Sequence, residues 1–327
     1  MSLPTFQLLR PKRLDEVVSL LSKHGDDVKV IAGGTDLLPS MKQKLFTPPF
    51  LLDLRGVDEL RGIRATLDGG ISIGVLTTLA AIEHSQSIRR DYAVLYHAAR
   101  TIASPVLRNM GTLGGNICLD TRCLWYNQSL LWRKSCGFCL KKDGDLCHVA
   151  PSSKTCWAAF SGDTPPALLC LAAEVEIAGA NGVRRMPIAD FYVNDGIVRL
   201  RLSPREIVTR VYIPRASHGW RGSYQKLRVR GSIDYPLAGV AVALRLHRGR
   251  VEAARMAITA VNPAPHLVKD IDVTLLGMEI SDELAEQIGE FAGRTAKPLT
   301  TSALTPEYRR EMVKVFAKRA LLEASAN

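Results

Sequence analysis

The chain has 327 residues, 46% of them hydrophobic and 23% charged, which excludes wholesale disorder and collagen-like repeats. No run approaches the roughly 18 apolar residues of a membrane helix, and Met1 to Thr5 lacks the charged start and apolar stretch of a secretory signal, so a cytoplasmic protein is expected. The net charge of +11 implies a surface that attracts anions. There is no basic low-complexity run, helix-turn-helix cue or aromatic-rich nucleic-acid motif, so an acidic protein partner is expected rather than nucleic acid or membrane.

In chain order, Pro11 opens a helix with Leu14, Val17, Val18 and Leu21 at helical spacing, ended by His24-Gly25. A strand from Val28 to Ile31 runs into Ala32-Gly33-Gly34-Thr35-Asp36, and another strand lies near Phe50 to Asp53. A second unit begins with a strand over Gly70 to Val75 and the turn Leu76-Thr77-Thr78. Helices follow near Leu79 to His84 and Tyr92 to Ile102, then the stretch Gly111-Thr112-Leu113-Gly114-Gly115-Asn116. The segment from about 119 to 160 has no clean period of 2 or 3.6 and reads as an insertion folded around something other than a hydrophobic core. Strands resume over Glu174 to Ala178 and Glu206 to Ile213. A break over 215–222 suggests a boundary, and strands follow near Tyr224 to Val229, Ala238 to Arg245 and Ala253 to Val261. Two helices close the chain, one capped by Ser281 and one opened by Thr305-Pro306. The fold class is α+β, with one unit over 1–216, divided near residue 55, and another over 222–327.

Two loops carry the first chemical signal. In Val30-Ile31-Ala32-Gly33-Gly34-Thr35-Asp36-Leu37, glycine lets the backbone approach a ligand with no β-carbon in the way. Successive amide N–H groups there can cradle a pyrophosphate. Gly111 to Asn116 repeats the theme with Thr112 and Asn116 beside three glycines. Neither loop matches the dinucleotide fingerprint or a Walker loop, and plain tight turns account for each equally well.

These loops, with Ile73-Gly74, Thr77-Thr78, Arg108-Asn109-Met110-Gly111, Gly162-Asp163-Thr164-Pro165-Pro166, Glu206-Ile207-Val208 and Lys226, resemble in order the flavin-binding subunits of the xanthine dehydrogenase and carbon monoxide dehydrogenase family. The resemblance implies a split FAD-binding fold of the vanillyl-alcohol-oxidase type followed by a C-terminal α/β domain. It implies that Val30, Ile31, Ala32, Gly33, Gly34, Thr35, Asp36 and Leu37 hold FAD together with Thr77 and with Thr112, Leu113, Gly114, Gly115 and Asn116. Asp163 would hydrogen-bond FAD, Ile102 and Ile207 would pack near it, and Lys226 would lie close to the isoalloxazine.

Six of the seven cysteines fall between Cys118 and Cys156. Clustered thiols in a chain of this size favour a metal over a disulfide framework. Cys123, Cys139, Cys147 and Cys156 are separated by 15, 7 and 8 residues and suit zinc or an iron–sulfur cluster. Cys136-Gly137-Phe138-Cys139 also suits zinc or a redox disulfide, and Cys118 and Cys170 read as core. Around these cysteines, Asp120-Thr121-Arg122-Cys123, Tyr126-Asn127-Gln128-Ser129, Cys139-Leu140-Lys141 and Cys147-His148 resemble the insertion of 4-hydroxybenzoyl-CoA reductase β subunits. That resemblance implies a [4Fe–4S] cluster on Cys123, Cys139, Cys147 and Cys156, with Cys136 extra and His148 beside a ligand. Arg122, Arg133, Lys134, Lys141, Lys142 and Lys154 make the segment basic, which offsets cluster charge and can steer an acidic carrier.

No catalytic triad, carboxylate pair or zinc-protease motif is present, so the chain is expected to conduct electrons for a reaction housed elsewhere. The resemblance implies a molybdopterin large subunit, a small subunit with two [2Fe–2S] clusters, and a dimer of heterotrimers. The implied reaction is dehydroxylation of 4-hydroxybenzoyl-CoA, with ferredoxin as electron donor. Two alternatives stand beside it: the FAD subunit of an oxidative aldehyde or purine dehydrogenase, and a zinc-stabilised binding module.

Overall fold

The structure, a computed structural model, describes residues 2–326. Gln7–Leu9 (β1), Val28–Ile31 (β2) and Phe50–Asp53 (β3) form a parallel sheet in the order β1-β3-β2. Helix Leu14–His24 buries Val17 and Leu21, the residues whose helical spacing marks its apolar face. Ile63–Ala65 (β4), Ile71–Gly74 (β5), Glu174–Gly179 (β6), Gly182–Pro187 (β7) and Ile207–Ile213 (β8) form an antiparallel sheet in the order β4-β5-β8-β6-β7. Arg221–Leu227 (β9), Ala238–His247 (β10), Arg250–Thr259 (β11) and His266–Leu267 (β12) form a third, antiparallel, in the order β12-β11-β10-β9. The mixed α+β class expected from the sequence is the class observed.

The third sheet is buried on both faces, and its sequence shows how. Along β10, Val240, Val242 and Leu244 join the core under the closing helices Asp282–Thr295 and Pro306–Ala326. Ala241 and Ala243 point the other way, into the core shared with the first two sheets. Side chains alternate across a strand, so small residues on one face let helix Ala93–Arg100 approach closely. A β-carbon on Gly222 of β9 would fall 2.7 Å from the Val94 backbone. Arg309, fully buried, donates to the carbonyls of Leu237, Leu299 and Ala260 and so fixes the last helix to the sheet.

The boundary region over 215–222 is not a loose linker. Ser217 and Trp220 are buried, and Ser217 Oγ donates to the Leu171 carbonyl at 2.7 Å. The insertion does lack regular structure, apart from helix Leu130–Ser135. Its two ends meet: Arg122 and Ala159 exchange both backbone hydrogen bonds, each 2.8 Å. Inside this neck, Leu45, Tyr126 and Ala158 pack with three of the cysteines as a separate small core. Among the described residues, no helix is long and apolar enough to cross a membrane.

Candidate functional site

β2 ends at Ile31, and the loop Ala32 to Asp36 that follows has an unusual backbone. The amides of Gly33, Gly34, Thr35 and Asp36 donate to no protein acceptor among the described residues. Successive free N–H groups on a partly exposed loop form a cradle for an anionic oxygen. Gly34 has φ +72°, a conformation that favours glycine. Gly33 serves a different need. A β-carbon there would lie 1.9 Å from the Met110 carbonyl oxygen, so the loop presses directly on the second glycine-rich segment.

The backbone amides of that second segment, Thr112 excepted, are engaged within the protein. Leu79 N donates to Gly111 O at 2.9 Å, Leu113 N to Thr77 O at 3.0 Å and Gly114 N to Val75 O at 2.9 Å. Thr112 Oγ1 caps the short helix Leu113–Ile117 by accepting from Gly115 N. Asn116 Oδ1 accepts from both the amide and the hydroxyl of Thr164. Thr77 Oγ1 is held by Gly62. Arg108, buried and paired with Glu83 at 2.7 Å, anchors the start of the segment. The structure therefore gives a run of four free amides to the first loop and one, that of Thr112, to the second, which otherwise braces it.

Three distant pieces meet at Asp36. Arg122 Nη1 lies 3.1 Å from Asp36 Oδ1, and Tyr235 donates its hydroxyl to the same oxygen at 2.7 Å. The Arg122 guanidinium also stacks 3.9 Å from the centre of the Tyr235 ring. Burial, and then the neighbouring carboxylate, push the Tyr235 phenol well up, so it stays a donor at neutral pH. A second group lies deeper. Lys226 Nζ is 3.1 Å from Asp163 Oδ2, with the two side chains only 3% and 4% exposed. Tyr224 donates to Asp163 Oδ1 at 2.8 Å, and Lys226 also donates to the Thr101 carbonyl beside Ile102. Ile102 is buried, and Ile207 is a buried residue of β8 opposite Ala178. Nothing in the sequence marks Tyr224 or Tyr235 as partners of these carboxylates.

Cys123, Cys139, Cys147 and Cys156 are all buried and line one cavity. Trp125 stacks on His148 at 4.3 Å between ring centres, and His148 bonds the Phe138 carbonyl. Among the described residues, no three Cys, His, Asp or Glu side chains converge closely enough to hold a single metal ion. Four sulfurs spread around a cavity do not fit zinc, which draws its ligands to about 2.3 Å from one point. Four cysteines are also the usual donor set of an iron–sulfur cluster. Burial pushes the Cys123 thiol up to about 12 and the Cys156 thiol up to about 11, so ligation must displace protons. Cys136 lies outside this cavity, and Cys170 is core. The basic character of the segment needs correction. The side chains of Arg133 and Lys141 are buried, Arg122 is paired with Asp36 and Lys142 with Asp143, which leaves Lys134 and Lys154 fully at the surface.

Residues 4–216 match the family described as the FAD binding domain in molybdopterin dehydrogenase. The chain belongs to that family. Residues 222–324 match the CO dehydrogenase flavoprotein C-terminal domain. The chain is thus a FAD-binding medium subunit of the molybdenum hydroxylase family, of the CO dehydrogenase type. It is similar to the carbon monoxide dehydrogenase medium chain of Afipia carboxidovorans, 29% identical over 98% of this chain and 97% of that one. The glyceraldehyde dehydrogenase medium chain of Sulfolobus acidocaldarius is 27% identical over 98% and 99%. Among solved structures, a Cu,Mo-CO dehydrogenase superposes with a TM-score of 0.82 at 28% identity, covering 100% of this chain and 99% of that one. Quinoline 2-oxidoreductase from Pseudomonas putida follows at 0.80 and 26%, with the same coverage. The FAD cofactor and the fold of the family therefore hold for this chain, and the free amides of the first loop fit the pyrophosphate. Three of the relatives named here are dehydrogenases, which favours the oxidative alternative over the reductase.

Proposed function

We propose that this chain carries FAD and a [4Fe–4S] cluster as the electron-transfer subunit of a molybdenum dehydrogenase complex. The flavin is held by Val30 to Leu37 against Thr112 to Asn116. Lys226 and Asp163 lie at its isoalloxazine side, and the chain divides into units over 1–216 and 222–327. The partners are a large molybdopterin subunit that binds substrate and a small subunit with two [2Fe–2S] clusters, assembled as a dimer of heterotrimers. Bound FAD supplies the exchange between one- and two-electron carriers. The chain's own residues position it, exclude water and keep a buried ion pair beside it.

The observation that carries the cluster is that four buried cysteines line one cavity while, among the described residues, no three of them stand close enough to hold a single ion. The similarity to dehydrogenases over nearly the whole chain supports oxidation of a substrate by the complex, with electrons leaving through FAD. The cysteine insertion favours a second reading, reduction of 4-hydroxybenzoyl-CoA with electrons from ferredoxin arriving at the cluster.

Iron and flavin analysis of the anaerobically purified protein tests the cofactors. Cys139→Ser is expected to lose the iron and keep FAD; full iron content in that variant refutes the ligand set. The complex is then offered 4-hydroxybenzoyl-CoA with reduced ferredoxin, or an aldehyde or purine with an oxidised acceptor. Turnover in the first arm selects reduction, and turnover in the second selects oxidation.

A further inference from the structure

Two buried cationic side chains flank the four-cysteine cavity, Lys141 lining it and Arg133 lying behind it with its guanidinium 6.0 Å from the centre of the Phe138 ring, and the protein supplies each with less than one carboxylate. Arg133 is 1% exposed. Its Nη2 donates to the Lys44 carbonyl at 3.0 Å, while its Nε and Nη1 have no hydrogen-bond partner. The carboxylate near it, Asp143, stands 3.7 Å away, is 42% exposed and is shared with Lys142 at 3.3 Å. The Arg133 carbonyl accepts from the Phe138 amide at 2.8 Å, one residue from Cys139. Lys141, 6% exposed, lies 2.8 Å from Asp120 and donates to the Gly196 carbonyl at 2.7 Å. Gly196 in turn abuts Cys156, whose Sγ is 2.6 Å from where a Gly196 β-carbon would stand. Asp120 also faces Arg199 at 3.7 Å. Each carboxylate thus answers two cations, and the base of the insertion holds positive charge in excess.

Four neutral thiols offer such cations nothing. A buried charge without a countercharge is strongly destabilising. Four thiolates on an iron–sulfur core reverse the balance, because ligation strips each sulfur of its proton and leaves the assembly with net negative charge. We propose that Arg133 and Lys141 are the built-in countercharges of the four-cysteine centre, and that Arg133 sets its reduction potential. Uptake of one electron makes the centre more negative without making or breaking a bond in the chain. A neighbouring buried cation favours that state and raises the potential. Arg133 is here a positioning residue of the electrostatic field; it touches no substrate. The proposal rests on the cluster reading given above.

The test uses full-length protein purified without oxygen: wild type, Arg133→Met, Arg133→Lys and Asp143→Asn. Iron content is measured first, then the potential by a dithionite titration followed by electron paramagnetic resonance. In Arg133→Met the ratio of oxidised to reduced cluster at a fixed potential is expected to rise about tenfold, a fall of about 59 mV for one electron. Arg133→Lys keeps the charge and is expected to stay near wild type. Asp143→Asn removes an exposed carboxylate, leaves the core intact and is expected to shift the ratio about twofold the other way, since a partly screened charge acts weakly. Wild-type protein without iron defeats the cluster reading itself. Loaded variants that all titrate at the wild-type potential overturn the countercharge proposal alone. If Arg133→Met does not fold, an unshifted Asp143→Asn has the same force.

Discussion

Gly33→Ala is the sharpest perturbation the flavin loop offers. The added methyl carbon would stand 1.9 Å from the Met110 carbonyl oxygen, 2.6 Å from its carbon and 3.1 Å from Gly111 N, all backbone atoms. No rotamer change relieves such a clash, so the two loops must separate. Overpacking of this kind costs about 1–3 kcal/mol. If the cost falls on the conformation that binds FAD, the affinity drops roughly 5- to 150-fold at about 1.4 kcal/mol per tenfold. Titration of the deflavinated protein with FAD, read by quenching of flavin fluorescence, measures it. Gly115→Ala is the control, because its β-carbon would meet just the Thr112 hydroxyl at 3.3 Å, and a small loss is expected. A Gly33→Ala protein that binds FAD as wild type with an unchanged melting temperature would show that the contact between the loops does not shape the cradle.

Lys226→Met leaves the Asp163 carboxylate buried without its cation, and loss of about 3–5 kcal/mol in urea-unfolding free energy is expected. Asp163→Asn added to it should restore part of that loss; a double variant weaker than the single one contradicts the pairing. Asp91 tests pH dependence. Its hydrogen-bonded pair with Arg90, at 2.7 Å through both oxygens, holds its carboxyl below the usual range. A depressed carboxyl contributes stability above its unfolded value of about 3.9, and that stability is lost as pH falls through the folded value. The urea midpoints of wild type and Asp91→Asn should therefore differ at pH 6 and converge near pH 3; a gap that widens on acidification counts against the pair.

Local rules made much of the scaffold readable. The spacing of Leu14, Val17 and Leu21, the strand at Val28 to Ile31, and the Ser281 cap, which accepts from Leu284 N, all appear where the sequence places them. Other elements were hidden because their cause is tertiary. β1 and β7 are short or exposed and carry little apolar pattern, and helix Thr164–Cys170 contains Pro165 and Pro166 yet is buried throughout. At the site, glycine content revealed both loops, but not that one supplies a run of free amides while the other is mostly spent on bracing. The cysteine spacing singled out four residues that the structure places around one cavity. The burial of the Arg133 and Lys141 side chains could not be read, because lysines and arginines in such a segment look alike in sequence whether they face water or the protein interior.

The neck of the insertion has one more consequence. Paired residues of an antiparallel rung stand about 5.5 Å apart, a gap that a two-residue hairpin spans. Arg122 and Ala159 form such a rung. The chain between them can therefore be cut back to a short turn without breaking the rung, and what such a cut removes is the packing of the segment on Leu45 and its hydrogen bonds to Lys44 and Gly196.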